Sequence, residues 1–264
     1  MTVRLATWNV NSVRLRLDGL KRLVKARAPD VLCLQETKVE DSLFPAAFCR
    51  KLGYPHQAIY GQKGYHGVAV LSRLPLASPR RREWWGVADA RHVHVELPGG
   101  VLLHDFYVPA GGDVPDPDDN PKFAHKLGFL AEIARWFARP RQPARQVLVG
   151  DLNVAPLATD VWSHAQLLKV VSHTPVEVAA LEALERSRRW VDAVRHFIPP
   201  EVKLYTWWSY RARDWQAADR GRRLDHVWVT PRLAPALKGA EVLREARGWP
   251  EPSDHVPVLV DINL

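Results

Sequence analysis

Val147-Leu148-Val149-Gly150-Asp151-Leu152-Asn153 is a short apolar run broken by a glycine, a carboxylate and an amide. A run of this length bounded by turn residues reads as a buried strand, so Asp151 and Asn153 stand at a strand end. The form recurs on both sides. Val3 to Trp8 leads into Asn9 and Asn11, Val31 to Leu34 leads into Gln35 and Glu36, and the strand of Leu102 to Val108 ends around Tyr107. Asp225-His226 opens a strand at Val227 to Val229, and Ser253-Asp254-His255 opens one at Val256 to Ile262. Gly67 to Leu71 and Arg91 to Leu97 read as further strands. In the latter, His92, His94 and Glu96 alternate with Val93, Val95 and Leu97, which predicts one solvated face.

Helical patterns separate these runs. Ser12 to Ala26 places Val13, Leu17, Leu20 and Val24 on one face. Asn120-Pro121 is a cap followed by a first-turn proline, and the helix after it aligns Phe123, Leu127, Leu130, Ile133 and Phe137. Thr174-Pro175-Val176-Glu177 is a capping box. Interleaved strands and helices make this an α/β chain, and one domain of two packed sheets with outer helices fits them. No stretch has linker composition, and no repeat of fixed period is present.

The 264 residues carry 37 Lys+Arg against 29 Asp+Glu, a formal charge of +8 that suggests an anionic partner, nucleic acid first. Two cysteines, Cys33 and Cys49, exclude a disulfide scaffold or a cysteine-rich zinc module. No segment reaches the ~18 consecutive apolar residues of a membrane span. The start, Met1 to Asn9, lacks the pattern of a secretory signal, so a cytoplasmic location is expected.

If the strands align, their polar ends converge on one pole, and the chemistry there is narrow. Glu36, Asp151, Asp225 and Asp254 are hard oxygen donors suited to Mg²⁺ or Mn²⁺. Carboxylates not bound to a metal are free to activate water or to orient a histidine. His255 paired with Asp225 would stay charged and stabilise a phosphate under in-line attack. Asn153, two residues after Asp151 on an extended chain, would orient the water. The set points to metal-dependent phosphodiester hydrolysis.

At these residues the sequence resembles the exonuclease III family of DNA-repair nucleases, within the endonuclease/exonuclease/phosphatase superfamily. The matching stretches are Trp8 to Arg14, Leu34-Gln35-Glu36-Thr37-Lys38, Gly61 to Gly64 with Gly67-Val68-Ala69, Tyr107-Val108-Pro109, Gly150 to Pro156, Arg223-Leu224-Asp225 and Ser253-Asp254-His255. They run in family order along the whole chain, so residues 1–264 are expected to form a single domain of this type. The resemblance implies a four-layer α/β sandwich, two mixed sheets face to face with helices outside. It implies Glu36 as direct metal ligand, with Asn9 and Asp254 completing the surroundings of Mg²⁺, for which Mn²⁺ would substitute. It implies Asp151 as the residue that positions or deprotonates water, helped by Asn153, with His255 oriented by Asp225 and Tyr107 contacting the phosphate. Asn11 and Lys38 would support these contacts to DNA. The implied substrate is double-stranded DNA with abasic sites or 3′ ends, cut by a monomer to leave a 3′-hydroxyl and a 5′-phosphate.

Two departures stand out. Many relatives carry Asn or Gln after Tyr107-Val108-Pro109, where this chain has Ala110. Arg222 stands where some relatives have tryptophan in the wall of the pocket for a flipped abasic sugar, while Trp207 and Leu224 match pocket positions. Independently, Tyr205 to Trp215 interleaves aromatics with Arg211 and Arg213, and Arg220, Arg222 and Arg223 continue it, a composition suited to stacking and phosphate contact. The alternatives are a superfamily phosphoesterase acting on something other than DNA, and a catalytically silent nucleic-acid binder. The second should have lost one of Glu36, Asp151, Asn153 or His255, and all four are present. His92 and His94 share a strand face without an evident third ligand, so they read as solvated histidines rather than a zinc site.

Overall fold

The computed structural model describes residues 1–264. The chain opens with β1 (Thr2–Asn9), α1 (Leu17–Arg27), β2 (Val31–Gln35), α2 (Ala46–Lys51), β3 (His56–Tyr60) and β4 (Val68–Ser72). Then come β5 (Ala77–Arg81), β6 (His92–Leu97), β7 (Val101–Tyr107), α3 (Pro121–Phe137), β8 (Gln146–Asp151), α4 (His164–Leu167), α5 (Pro175–Arg188) and β9 (Val191–Asp192). It closes with β10 (Trp207–Trp208), α6 (Trp215–Ala218), β11 (Gly221–Arg222), β12 (Asp225–Val229), β13 (Leu237–Val242) and β14 (Val258–Asn263).

Two six-stranded mixed sheets result, ordered β13-β14-β1-β2-β4-β3 and β5-β6-β7-β8-β12-β9, with β10-β11 as a separate ribbon. Each sheet has one parallel pair at its centre, β1 with β2 and β7 with β8, and every other pairing is antiparallel. Strands buried on both faces need continuous apolar sequence, which is why β2 and β4 are buried at every residue. One apolar layer, including Val3, Val31, Val95, Leu103, Val149 and Val260, fills the space between the sheets. A second, with Trp8, Leu20, Leu23 and Cys49, joins the first sheet to α1 and α2. A third, with Phe129, Ile133, Leu184 and Trp228, joins the second sheet to α3 and α5. Both helix caps read from sequence are made. The Asn120 side chain accepts from the Lys122 N–H at 3.0 Å, and Thr174 and Glu177 form the capping box.

Gly150 explains how β7 and β8 can lie so close. Its φ is +132°, and a Cβ there would sit 1.9 Å from the Phe106 carbonyl oxygen. Three sequence readings change. The first helix begins as a 3₁₀ turn at Val13–Arg16 and becomes α-helical only at Leu17. Asn153 is not on an extended segment; its φ of +54° turns the chain back so that its own N–H reaches Asp151 Oδ1 at 3.0 Å. The histidine face of β6 is solvated only toward Glu96: Trp84, Trp136 and Phe106 close over His92 and bury it fully, while His94 is half-buried and Glu96 exposed.

Candidate active site

Strand direction brings the polar ends together. Asn9, Glu36, Tyr107 and Asp151 lie at or just past the C-terminal ends of β1, β2, β7 and β8. Strands β12 and β14 run antiparallel to β8 and β1, so Asp225 and His255, at or before their N-terminal ends, reach the same pole. The register is direct, with Tyr107 opposite Asp151 and Asp151 opposite Asp225.

Asp225 Oδ2 lies 2.8 Å from His255 Nδ1, and Asp151 Oδ2 lies 3.7 Å from His255 Nε2. The Asn9 amide donates to Glu36 Oε1 and to Asp151 Oδ2, both at 2.9 Å, while its Oδ1 accepts the Asn11 backbone N–H at 3.0 Å. Asn9 therefore fixes the spacing of the two carboxylates. Tyr107 donates its hydroxyl to Glu36 Oε1 at 2.9 Å, and the Lys38 ammonium lies 2.8 Å from Glu36 Oε2. Asn153 Nδ2 donates to Asp151 Oδ2 at 3.1 Å and to the Val108 carbonyl at 2.9 Å. Asp254 accepts from Asn11 Nδ2 and from Trp207 Nε1, each at 3.0 Å. Asn11, Glu36, Lys38 and Asn153 all hold φ between +43° and +54°, so backbone strain is concentrated here. Gly67, at φ +91°, packs so closely on this segment that a Cβ there would lie 2.1 Å from Thr37 Oγ1.

Burial alone would discharge His255, but Asp225 and Asp151 outweigh it and raise the imidazole to about 10. Burial lifts Asp151 to about 7, opposed by His255. Burial pushes Glu36 upward too, yet Lys38 and the Asn9 hydrogen bond hold its carboxyl below the usual range.

Asp151, Asp225 and His255 place ligand atoms within 4.8 Å of one another, but a charged imidazole has no lone pair for a metal. Glu36, bonded to Asn9, and Asp254, bonded to Asn11, are carboxylates that line the same cavity. Their hard oxygens fit a small divalent cation, with Asn9 setting the position of Glu36.

The cavity, about 570 Å³, is lined on its catalytic side by Glu36, Tyr107, Asp151, Asn153, Asp254 and His255. Trp207, Leu224, Arg211 and Arg222 line it as well, Trp207 directly beside Asp254. Asn11 and Lys38 bond to Asp254 and Glu36 rather than lining it, and Arg213 is exposed outside it. Ala110 lines it and offers no side-chain donor. Arg223 departs from its sequence reading. It is buried and paired with Asp160 at 2.8 Å and Asp192 at 2.6 Å, so it braces the fold instead of facing a ligand.

Two elements escaped the sequence. Lys126 is fully buried, pairs with Glu177, and donates to the carbonyls of Asn153 at 2.7 Å and Ala110 at 3.2 Å. It thereby ties two loops of the site to α3 and α5. The second is His104, which joins His92 and His94 in a three-histidine group. Trp84 Nε1 can only donate, and it lies 3.2 Å from His92 Nδ1. His92 Nε2 must then carry the proton and donate to His104 Nδ1 at 3.1 Å, and His104 Nε2 donates to Gln146 Oε1 at 3.1 Å. This one-way chain leaves neither ring a lone pair for a metal.

Comparison with known proteins identifies the family. The profile described as the Endonuclease/Exonuclease/phosphatase family matches residues 6–255. The chain belongs to that family. It is 27% identical over 271 residues to exodeoxyribonuclease III of Haemophilus influenzae, covering 97% of this chain and 98% of that protein. The AP endonuclease of Archaeoglobus fulgidus superposes with a TM-score of 0.91 at 29% identity, over 99% of this chain and 100% of that one. The 3′ phosphatase NExo from Neisseria, solved bound to a product DNA hairpin, gives 0.90 at 30% identity with the same coverage.

Proposed function

We propose that the chain, acting as one catalytic unit, is a metal-dependent DNA-repair nuclease that cleaves duplex DNA 5′ to abasic sites and trims 3′ ends. The observation that carries this is the convergence of six strand ends on a buried charge set, Asp225–His255 facing Asp151 and Asn9 joining Asp151 to Glu36. The relatives named above support DNA as the polymer.

His255, held protonated by Asp225, donates Nε2–H to a non-bridging oxygen of the scissile phosphate and stabilises its growing charge. Asp151, lifted to about 7 by burial, takes the proton of the attacking water near operating pH. Asn9 and Asn153 each donate to Asp151 Oδ2, which aims the carboxylate. Tyr107 lies beside Glu36 within reach of the phosphate. Water attacks phosphorus, the P–O3′ bond breaks, and the 3′ oxygen takes a proton from solvent, leaving a 3′-hydroxyl and a 5′-phosphate. Glu36 and Asp254 would hold Mg²⁺, or Mn²⁺ in its place, which supplies Lewis-acid stabilisation of the same phosphate.

The test is a duplex oligonucleotide with one tetrahydrofuran abasic analogue, incubated with Mg²⁺ or with EDTA. A single nick immediately 5′ to the lesion, present with Mg²⁺ and absent with EDTA, is expected. DNA bound but left whole under both conditions overturns the reading.

A further inference from the structure

Arg222 is a largely buried cation with no carboxylate partner. It sits opposite Trp207 in the β10-β11 ribbon, with its guanidinium 5.3 Å from the Trp207 ring centre. Nη1 donates to the Val171 carbonyl at 2.8 Å and to Ser172 Oγ at 2.7 Å. Nε is buried without a partner, Nη2 makes no hydrogen bond within the chain, and no ion pair forms. The other buried cations of this region are matched: Lys126 by Glu177, Arg223 by Asp160 and Asp192, and Arg195 by Asp160.

The carboxylate that acts on Arg222 is Glu177, and it is already occupied. It pairs with Lys126, accepts the Ser172 N–H on both oxygens at 2.9 Å, and accepts the Thr174 hydroxyl at 2.7 Å. This fixes Ser172 at φ +85°, so Ser172 holds the guanidinium in one place. A positive charge fixed in an apolar wall beside Leu224 and Val171 keeps its desolvation cost until an anion meets it. Arg211 and Arg220 also line the cavity, but both are exposed, where salt screens them.

The same cavity is lined by His255, the catalytic carboxylates and Arg222, so the downstream group carried by a scissile phosphate at His255 shares that cavity with Arg222. We propose that Arg222 is an anion subsite for that downstream group. The enzyme then favours 3′ ends whose terminal fragment bears its own negative charge, a carboxylate or a phosphate monoester, over neutral fragments. The inference rests on the nuclease reading above. The reaction is unchanged. Water adds to phosphorus, the P–O3′ bond breaks, the 3′ oxygen is protonated, and the fragment departs with the former scissile phosphate, as phosphoglycolate or as a nucleoside 3′,5′-bisphosphate.

The experiment measures kcat/KM on gapped duplexes in two matched pairs. One pair ends in a 3′-phosphoglycolate or its neutral 3′-(2-hydroxyethyl) phosphate counterpart. The other ends in a nucleotide with a 3′-phosphate or a 3′-hydroxyl, scored as release of the terminal nucleotide (3′,5′-bisphosphate or 5′-monophosphate) and not of inorganic phosphate. The wild-type protein should prefer the charged member by about tenfold or more, and Arg222→Gln should bring that ratio to near one. Arg222→Lys, which keeps the charge without the fork, should retain part of the preference. Preference within the first pair alone assigns a carboxylate ligand, and within the second alone a phosphate. A wild-type ratio below about two in both pairs, or a ratio that Arg222→Gln leaves unchanged, overturns the subsite. Failure of the wild type on all four ends overturns the nuclease reading and the subsite with it.

Discussion

His255 and His104 are both buried, yet they carry opposite charge. His255 faces Asp225 and Asp151, whose negative charge outweighs burial and keeps the ring protonated. His104 and His92 face each other, Trp84, Phe106 and Gln146, where nothing compensates a positive charge. Burial drops His104 to about 3 and His92 well below its ordinary value. In the proposed mechanism the first ring is a fixed cation for a phosphate, whereas the second pair is a neutral hydrogen-bond relay that locks β6 and β7 under α3. Neighbours, rather than depth, decide which histidine does chemistry.

The difference between the two histidines depends most on Asp225. Asp225→Asn removes the charge that holds His255 and the acceptor that orients its Nδ1, so single-turnover cleavage should fall roughly 10²-fold or more. Thermal unfolding of the same variant monitors whether the fold persists, and full activity would detach Asp225 from the mechanism. A smaller effect sharpens the other side. His92 and His104 have folded values below the unfolded value near 6.5, so the unfolded chain binds their protons first as pH falls. Their contribution is complete above about 6.5 and is lost as pH drops below it, by about 1.4 kcal/mol per ring at pH 5.5. Urea unfolding at pH 7.5 and 5.5 of the wild type and of a His92→Gln/His104→Gln variant isolates this from His66, His226 and His255, and the same pH dependence in both proteins would show that the two rings are not held neutral.

The sequence was most legible where strands are central. The apolar runs of β1, β2, β7, β8, β12 and β14 announce themselves, and the polar residues that end them are those gathered at the candidate site. Edge strands were not legible. β5, Ala77-Ser78-Pro79-Arg80-Arg81, is exposed throughout, and β13, Leu237-Lys238-Gly239-Ala240-Glu241-Val242, mixes glycine with charges. Such composition protects an edge from further pairing, and it erases the alternation that would reveal a strand. The Asp225–His255 pair could be read because both residues open apolar strands. Lys126 and Glu177, 51 residues apart, could not, since a lysine inside a helix gives no sign that its ammonium faces inward. The β6 histidines were misread for a related reason. Alternation fixes which face they share, but only tertiary structure shows that Trp84 and Trp136 cover it.

The central claim is that the charged histidine acts on the phosphate while the neutral ones only hold the fold. Its most direct test is the single-turnover rate of the His255→Gln protein on abasic duplex at saturating Mg²⁺, with folding and DNA binding verified on the same sample. A loss of roughly 10²–10³ in rate is expected, with the fold and DNA binding retained. A rate within about threefold of wild type, against that expected loss, would contradict it.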